Sequence, residues 1–135
     1  MTPSPIHQQL PVISRLLEHC HQRVYPTKSL IIKEGDPGAD LFYIISGSVS
    51  VQKEDQKGHT IVLSYLNPGD FFGEIGMFDG DHKRSAFVRA KTKCEIAKIS
   101  YDRLKSLTSL YPDLLYLIAS QLALRLRITS GKVRD

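Results

Sequence analysis

Twelve residues decide the class of fold: His59-Thr60-Ile61-Val62-Leu63-Ser64-Tyr65-Leu66-Asn67-Pro68-Gly69-Asp70. The first eight alternate as in a β strand, and the last four have the composition of a turn. Similar segments occur on both sides and are separated by glycine-rich turns: residues 29–32, 41–45, 49–51, 86–90 and 94–99. Short strands divided by such turns favour a β sandwich or a β roll.

The composition is that of one globular domain. The chain has 135 residues, of which 41% are hydrophobic, so it can build one core. Its formal net charge of +4 comes from 18 basic residues interleaved with 14 acidic ones, a pattern typical of a solvated surface. No apolar run has the length of a membrane span, and the N-terminus lacks the pattern of an export signal. We therefore expect a cytoplasmic protein with no membrane partner.

The cysteine and histidine residues predict no metal site. Cys20 and Cys94 are far apart in the sequence, so they cannot form a disulfide framework or a four-ligand cluster. His19, Cys20 and His21 are adjacent, and on a helix their side chains would point about 100° apart rather than toward one ion. An enzyme is the weakest interpretation, because no nucleophile, base and orienting carboxylate occur at a suggestive spacing.

Helical patterns flank the strands. Residues 11–21 predict a short amphipathic helix, because their apolar side chains have helical spacing: Val12, Ile13, Leu16 and Leu17. Ser100 can cap a second helix that begins at Tyr101. A proline and an aspartate then supply the first turn of a last helix over residues 112–133.

The last helix has two apolar stripes. One has the alternating spacing of four and three that is typical of a coiled-coil seam: Leu115, Ala119, Leu122, Leu126, Thr129 and Val133. The other lies on a different side: Leu114, Leu117, Ile118, Leu124 and Ile128. One face can cover a β roll while the other meets a partner helix, which predicts a homodimer through this helix. A single helix buried in one core is the alternative.

A second stretch predicts a ligand site. Phe72–Phe78, with the letters FGEIGMF, is followed after a polar loop by Arg84-Ser85-Ala86. Glycines let backbone amides approach an anion, a carboxylate can bind a sugar hydroxyl, and a guanidinium can bind a phosphate. The alternative is a surface pair between Arg84 and Glu74 beside ordinary turn glycines, which would imply no ligand.

The sequence resembles the cyclic nucleotide-binding domains, and most of all the bacterial cAMP receptor protein (catabolite activator) family. The resemblance covers nearly the whole chain and rests on an ordered set of motifs: Gly35-Asp36, residues 41–49, residues 63–74 and Arg84-Ser85-Ala86. It implies a mainly β fold with flanking helices: a double-stranded β-helix, or jelly roll (β roll), with an N-terminal helix and a long C-terminal dimerisation helix. Residues 1–135 would form one effector domain, with residues 112–133 as the dimerisation helix.

The resemblance also implies a ligand, cAMP, and a role for each residue of the second stretch. Arg84 would bind the phosphate oxygens, and Glu74 would accept a hydrogen bond from the ribose 2′-hydroxyl. Further contacts would come from amides and hydroxyls of the same stretch and from a minor phosphate contact on a strand: Gly73, Ile75, Ser85, Ala86 and Ser64.

The last helix would supply the contacts to the base. By the same resemblance, Thr129 contacts the adenine amino group from its own subunit, and Ser130 reaches the nucleotide bound in the other subunit. Arg125 would help to join the site to the helix. Ligand binding would then shift the equilibrium between two arrangements of the dimer interface. Alternatively, Thr129 only marks the register of the coiled coil.

The output is a separate question. In the resembling family the seam helix leads into a winged helix-turn-helix, which this sequence lacks, so we expect a truncated cAMP-responsive transcription regulator that reaches DNA and RNA polymerase only as the full-length protein. One alternative is a stand-alone regulatory subunit that controls a partner enzyme or channel. Another is a relative that binds a different effector such as cyclic di-GMP.

Overall fold

The computed structural model describes residues 10–74, 76–77, 80 and 83–129. Its helices are α1 Leu10–Leu17, α2 Tyr101–Leu110 and α3 Pro112–Thr129. Its strands are β1 His21–Tyr25, β2 Leu30–Ile32, β3 Asp40–Ser46, β4 Val49–Glu54, β5 Thr60–Leu66, β6 Phe71–Phe72, β7 Phe87–Ala90 and β8 Cys94–Ser100.

The strands form two four-stranded antiparallel sheets, with the orders β1-β8-β3-β6 and β2-β7-β4-β5. Both sheets contribute to one core, in which the first supplies residues such as Phe42 and Ile96 and the second residues such as Val49 and Val88. Alternate residues of β3, β7 and β8 belong to this core, as the period of two requires: Phe42 and Ile44, Val88 and Ala90, and Cys94 and Ile96. The predicted mainly β jelly roll with flanking helices is confirmed.

The start of the sheet region differs from the prediction. The opening helix ends at Leu17, and His21 begins strand β1, so the expected helix over residues 11–21 is too long. Strand β1 pairs with β8, with His21 opposite Lys98 and Tyr25 opposite Cys94. Four of its five side chains are exposed, so no buried stripe marks it as a strand, and the pairing with β8 defines it. The three residues from His19 to His21 therefore do not share a helix, and the described residues hold no group of His, Cys, Asp and Glu that could bind a metal.

The ends of the remaining strands lie within one to three residues of the predicted segments. The two-residue strand β6 was not predicted. The hairpin between β4 and β5 turns where glycine and aspartate indicated it. Gly58 has a φ of 82°, and the Asp55 carboxylate accepts hydrogen bonds from the backbone N–H groups of Lys57 and His59, both at 2.8 Å. This is the local chemistry that a tight turn requires.

The helices form a second unit with its own buried side chains, among them Leu16 of α1 and Leu114 and Ile118 of α3. The predicted seam of α3 is exposed at Leu115 and Leu126, with exposed fractions of 40% and 68%. Over the first half of the helix the two stripes differ as expected, because Leu114, Leu117 and Ile118 are buried whereas Leu115 is exposed. In the second half Leu124 of the other stripe is 57% exposed, so the difference ends there. In the part of the chain that the structure describes, no helix is both long and apolar enough to cross a membrane.

Candidate functional site

Arg84 is fixed by its main chain to the loop that precedes β3. Its N–H donates to the Asp36 carbonyl and its carbonyl accepts from the Gly35 N–H, both at 2.8 Å. An isolated antiparallel bridge between Pro37 and Lys83 continues this pairing. The arginine therefore enters the site from a tethered segment, although it lies outside any named strand.

The Arg84 guanidinium is held by main-chain oxygens. Nη1 donates to the Gly73 carbonyl at 3.1 Å, and Nη2 donates to the Asp40 carbonyl at 2.9 Å. The guanidinium carbon also lies 5.6 Å from the centroid of the Phe42 ring. Gly73 follows β6, Asp40 begins β3, and Phe42 pairs with Phe72 across these strands, so one corner of the first sheet supplies these contacts.

Among the described residues, no carboxylate forms an ion pair with Arg84. The ion pairs there join Arg15 to Glu18 and His59 to Asp55. The predicted alternative of a surface pair between Arg84 and Glu74 is therefore not what the structure shows. Neutral carbonyl acceptors orient a guanidinium without cancelling its charge, which leaves it able to attract an anion.

Two glycines make room for the guanidinium. A Cβ added at Gly38 would lie 1.9 Å from Nε of Arg84 and 2.3 Å from its Cζ, far inside van der Waals contact. Gly73 has a φ of 81°, and a Cβ there would lie 3.0 Å from Nη1 of Arg84 and 3.1 Å from the Asp40 carbonyl oxygen. Any larger residue at either position would displace the arginine or the backbone beside it.

Tyr101, the first residue of α2, completes the arrangement. Its hydroxyl donates a hydrogen bond to the Gly73 carbonyl and accepts one from Nη1 of Arg84 at 3.3 Å. Burial raises the pKa of Tyr101, and the Glu74 and Asp40 carboxylates add to this, while Arg84 opposes it. The hydroxyl is therefore protonated at neutral pH and serves as a donor.

The other residues of the predicted stretch surround this corner. Glu74 directly follows Gly73 and is 5% exposed. The Met77 N–H donates to the Glu74 carbonyl at 3.0 Å, and Gly76 and Met77 are helical, so a helical turn follows the carboxylate. Ser85 is exposed. Ala86 is half-buried, and Ile75 lies outside the described residues.

Ser64 faces the interior of the roll. It lies on β5 opposite Val51, and Val51 also lies opposite Val88 on the far side of β4. Residues directly opposite one another in a sheet point to the same face, and Val88 belongs to the core cluster, against which Val51 packs. Ser64 is nevertheless exposed to solvent. The interior side of the second sheet is therefore open to water at this strand.

The residues predicted to contact the base lie on or beyond α3. Arg125 is half-buried and its Nη2 donates to Oε1 of Gln121 at 3.3 Å, a contact within the helix. Thr129 is the last residue of the described helix, and the structure does not describe its side chain. Ser130 also lies outside the described residues.

Sequence reasoning missed three members of this corner: Gly38, Asp40 and Tyr101. Asp40 acts through its main-chain carbonyl, which leaves no mark on residue type. Gly38 has the sequence context of an ordinary turn glycine, and Tyr101 is predicted only as the start of a helix. A glycine-rich loop that leads directly into a buried strand is the one signal that could have indicated Gly38.

Comparison with known proteins gives three results that agree. The cyclic nucleotide-binding domain family matches residues 22–111. The cAMP-activated global transcriptional regulator CRP of Salmonella typhimurium is 48% identical over 123 residues, which are 91% of this chain and 59% of that protein. The cAMP-activated global transcriptional regulator Vfr of Pseudomonas aeruginosa is 48% identical over 126 residues, with the same two shares.

A solved structure gives a similar result. The c-di-GMP responsive global regulator CLP of Xanthomonas campestris superposes with a TM-score of 0.84 at 43% identity, over 90% of this chain and 61% of that one. The chain thus spans about three fifths of the length of the regulators that it matches.

Proposed function

Because the chain belongs to the cyclic nucleotide-binding domain family, we propose that it binds cAMP as the sensor and dimerisation domain of a cAMP-responsive transcription regulator. The role is one of binding rather than catalysis, and its place is the cytoplasm. Its curated relatives CRP and Vfr are described as cAMP-activated regulators.

The orientation of Arg84 carries the proposal. Its contacts with described residues use Nη1 for Gly73 and Tyr101 and Nη2 for Asp40, and none of them uses Nε. Nη2 has a second hydrogen, and Nε and Nη2 share one edge of the guanidinium. That edge can donate two parallel hydrogen bonds to the two free oxygens of a cyclic phosphate diester, the geometry in which arginine binds anions best.

The neighbouring residues suit the rest of the nucleotide. Glu74 is buried directly beside Gly73, where a carboxylate can accept a hydrogen bond from a ribose hydroxyl. Ser85 and Ala86 follow Arg84 in the chain and offer backbone amides and a hydroxyl to the phosphate. Ser64 adds a hydroxyl on the open interior face of β5. The amide of Ile75 is proposed by its place in the motif alone.

Recognition of the base is proposed for the end of α3. Thr129 would contact the adenine amino group, Ser130 would reach the nucleotide of the second subunit, and Arg125 would join the helix to the site. The support for these roles is the family resemblance, together with the place of Arg125 and Thr129 in the last turns of α3.

The exposed seam of α3 supports the proposed homodimer through this helix. Leu115 and Leu126 are exposed on the seam, with Leu122 half-buried between them, and a seam of this spacing packs against a second copy in coiled coils. DNA and RNA polymerase are proposed as partners only of a full-length regulator, because CRP and Vfr are transcriptional regulators and this chain spans about three fifths of each.

Cyclic di-GMP is the second candidate effector, because CLP is described as c-di-GMP responsive and is 43% identical to this chain. It also carries phosphate diesters, so Arg84 alone does not separate the two ligands. Both ligands also have free ribose 2′-hydroxyls, so Glu74 does not separate them either. The identity of 48% to CRP and to Vfr, which are described as cAMP-activated, against 43% to CLP favours cAMP.

Calorimetric titration tests the proposal. cAMP, cGMP and c-di-GMP are each titrated into the unmodified chain and into Arg84→Ala, with Arg89→Ala as the control. Arg89 is a second half-buried arginine, whose Nη1 donates to the Lys28 carbonyl at 2.9 Å. The expected result is cAMP binding at one site per chain that is lost in Arg84→Ala and kept in Arg89→Ala. Tighter binding of c-di-GMP than of cAMP, or no heat with any nucleotide, would refute the proposal.

A further inference from the structure

We propose that Tyr101 is a positioning residue that holds Arg84 in its anion-binding orientation before any ligand arrives. The inference rests on the proposed function for its ligand, and it adds a residue that belongs to no motif in the sequence. Its basis is the pair of hydrogen bonds by which the tyrosine hydroxyl joins the Gly73 carbonyl to Nη1 of Arg84.

The hydroxyl is well placed for this role because it is itself fixed. Tyr101 is 5% exposed, and its backbone N–H donates to the Ala39 carbonyl at 2.8 Å. Ala39 adjoins Asp40, whose carbonyl holds Nη2 of Arg84. One tyrosine thus connects to both segments that orient the guanidinium, through its main chain on one side and its side chain on the other.

Without the hydroxyl, Nη1 would keep only its bond to Gly73 among the described residues. The Gly73 carbonyl would also lose a donor. Because glycine has no Cβ, sterics restrict the orientation of this peptide group less than at other residues. A guanidinium on a flexible arginine side chain then samples more orientations, and binding has to order it again. The entropy lost in ordering the guanidinium lowers the affinity for the anion, although the tyrosine itself need not touch the ligand.

A double-mutant cycle separates positioning from a general structural effect. cAMP affinity is measured for the unmodified chain, Tyr101→Phe, Arg84→Lys and the double variant. Tyr101→Phe should weaken binding by about threefold to tenfold in the presence of Arg84, the range for one net hydrogen bond, and by less than about twofold in the Arg84→Lys background. Equal losses in both backgrounds, or no loss at all, would overturn the proposal.

Tyr43→Phe is the matched control. Tyr43 is another buried tyrosine of the same unit, 6% exposed, and it packs on Phe71 with ring centroids 5.0 Å apart. Removing its hydroxyl should leave cAMP affinity unchanged. A loss as large as that of Tyr101→Phe would show that either substitution acts through general loosening of the sheet, and would overturn the positioning role.

A second readout needs no ligand. The ¹⁵N order parameter of the Arg84 Nε–H group should be close to that of rigid backbone, roughly 0.85, in the unmodified chain and below roughly 0.6 in Tyr101→Phe. An unchanged order parameter would overturn the positioning role. If cAMP failed to bind the unmodified chain while this drop was observed, the proposed ligand would be wrong and the positioning of Arg84 by Tyr101 would stand.

Discussion

Gly38→Ala should weaken anion binding without touching the ligand. The alanine Cβ would lie 1.9 Å from Nε of Arg84, whereas ordinary van der Waals contact begins at 3.4 Å, so the guanidinium must move by about 1.5 Å. Its bonds to Gly73 and Asp40 are 3.1 and 2.9 Å long, and a shift of this size across them stretches them to about 3.4 and 3.3 Å and bends them, which weakens both. The edge offered to a phosphate moves with them.

The expected loss is that of a charge-assisted contact. Such contacts contribute about 1.5 to 3 kcal/mol, so the dissociation constant for cAMP should rise by roughly 10-fold to 100-fold. Gly38 does not have a positive φ, so alanine adds no backbone strain there, and the melting temperature should change little. Calorimetric titration and thermal unfolding of the same preparation measure the two quantities.

Gly58→Ala provides the opposite control. Gly58 has a φ of 82° at the β4–β5 turn, and no atom lies within 4 Å of an added Cβ. Alanine there should lower stability by about 1 to 2 kcal/mol through backbone strain, with unchanged cAMP affinity. If Gly38→Ala bound cAMP as tightly as the unmodified chain, the main-chain cradle of Arg84 would not be what prepares the site.

Three further predictions concern other parts of the chain. A backbone hydrogen bond from His59 holds the pKa of Asp55 below its usual value, so its stabilisation of the hairpin is present above about pH 4 and lost as the pH falls through the lowered pKa. Acid unfolding of Asp55→Asn should therefore be less steep in this range, and equal slopes would count against the turn contact. Burial raises the pKa of the Cys94 thiol, so at about pH 8 DTNB should react with the half-buried Cys20 in the native protein and with Cys94 only after denaturation, and rapid reaction of both thiols in the native protein would contradict the burial of Cys94. Leu126→Glu should raise the dimer dissociation constant by roughly tenfold or more in sedimentation equilibrium, whereas Tyr116→Glu, 74% exposed and off the seam, should not; equal effects would refute dimerisation through this seam.

Much of the fold could be predicted because its signals are local. The turn at Asp55 to Gly58 and the proline that begins α3 each act on neighbouring residues, and the structure has both where the sequence indicated them. Strand β1 could not be predicted in the same way. Its side chains are mostly exposed, and it is a strand because it pairs with the distant β8, as His21 does with Lys98.

The site shows the same difference between residues with a local sequence signal and residues that act through distant contacts. The sequence predicted that Gly73, Glu74 and Arg84 belong to one site, and the structure joins Arg84 to Gly73 directly beside the buried Glu74, while their roles toward a phosphate and a ribose stay predictions. The groups that orient the arginine could not be predicted, because Asp40 and Gly73 act through main-chain carbonyls that every residue possesses. The role of Tyr101 depends on a contact across 17 positions of sequence, which no spacing rule anticipates.

A crystal structure of the chain with cAMP tests most directly whether Arg84 is prepared for its ligand. The expected electron density has the two free phosphate oxygens on Nε and Nη2 of Arg84, with Nη1 still bonded to the Gly73 carbonyl and Tyr101 and with Nη2 still bonded to the Asp40 carbonyl. A phosphate bound elsewhere, or an Arg84 that has left these three partners to reach it, would contradict a site built in advance by the main chain.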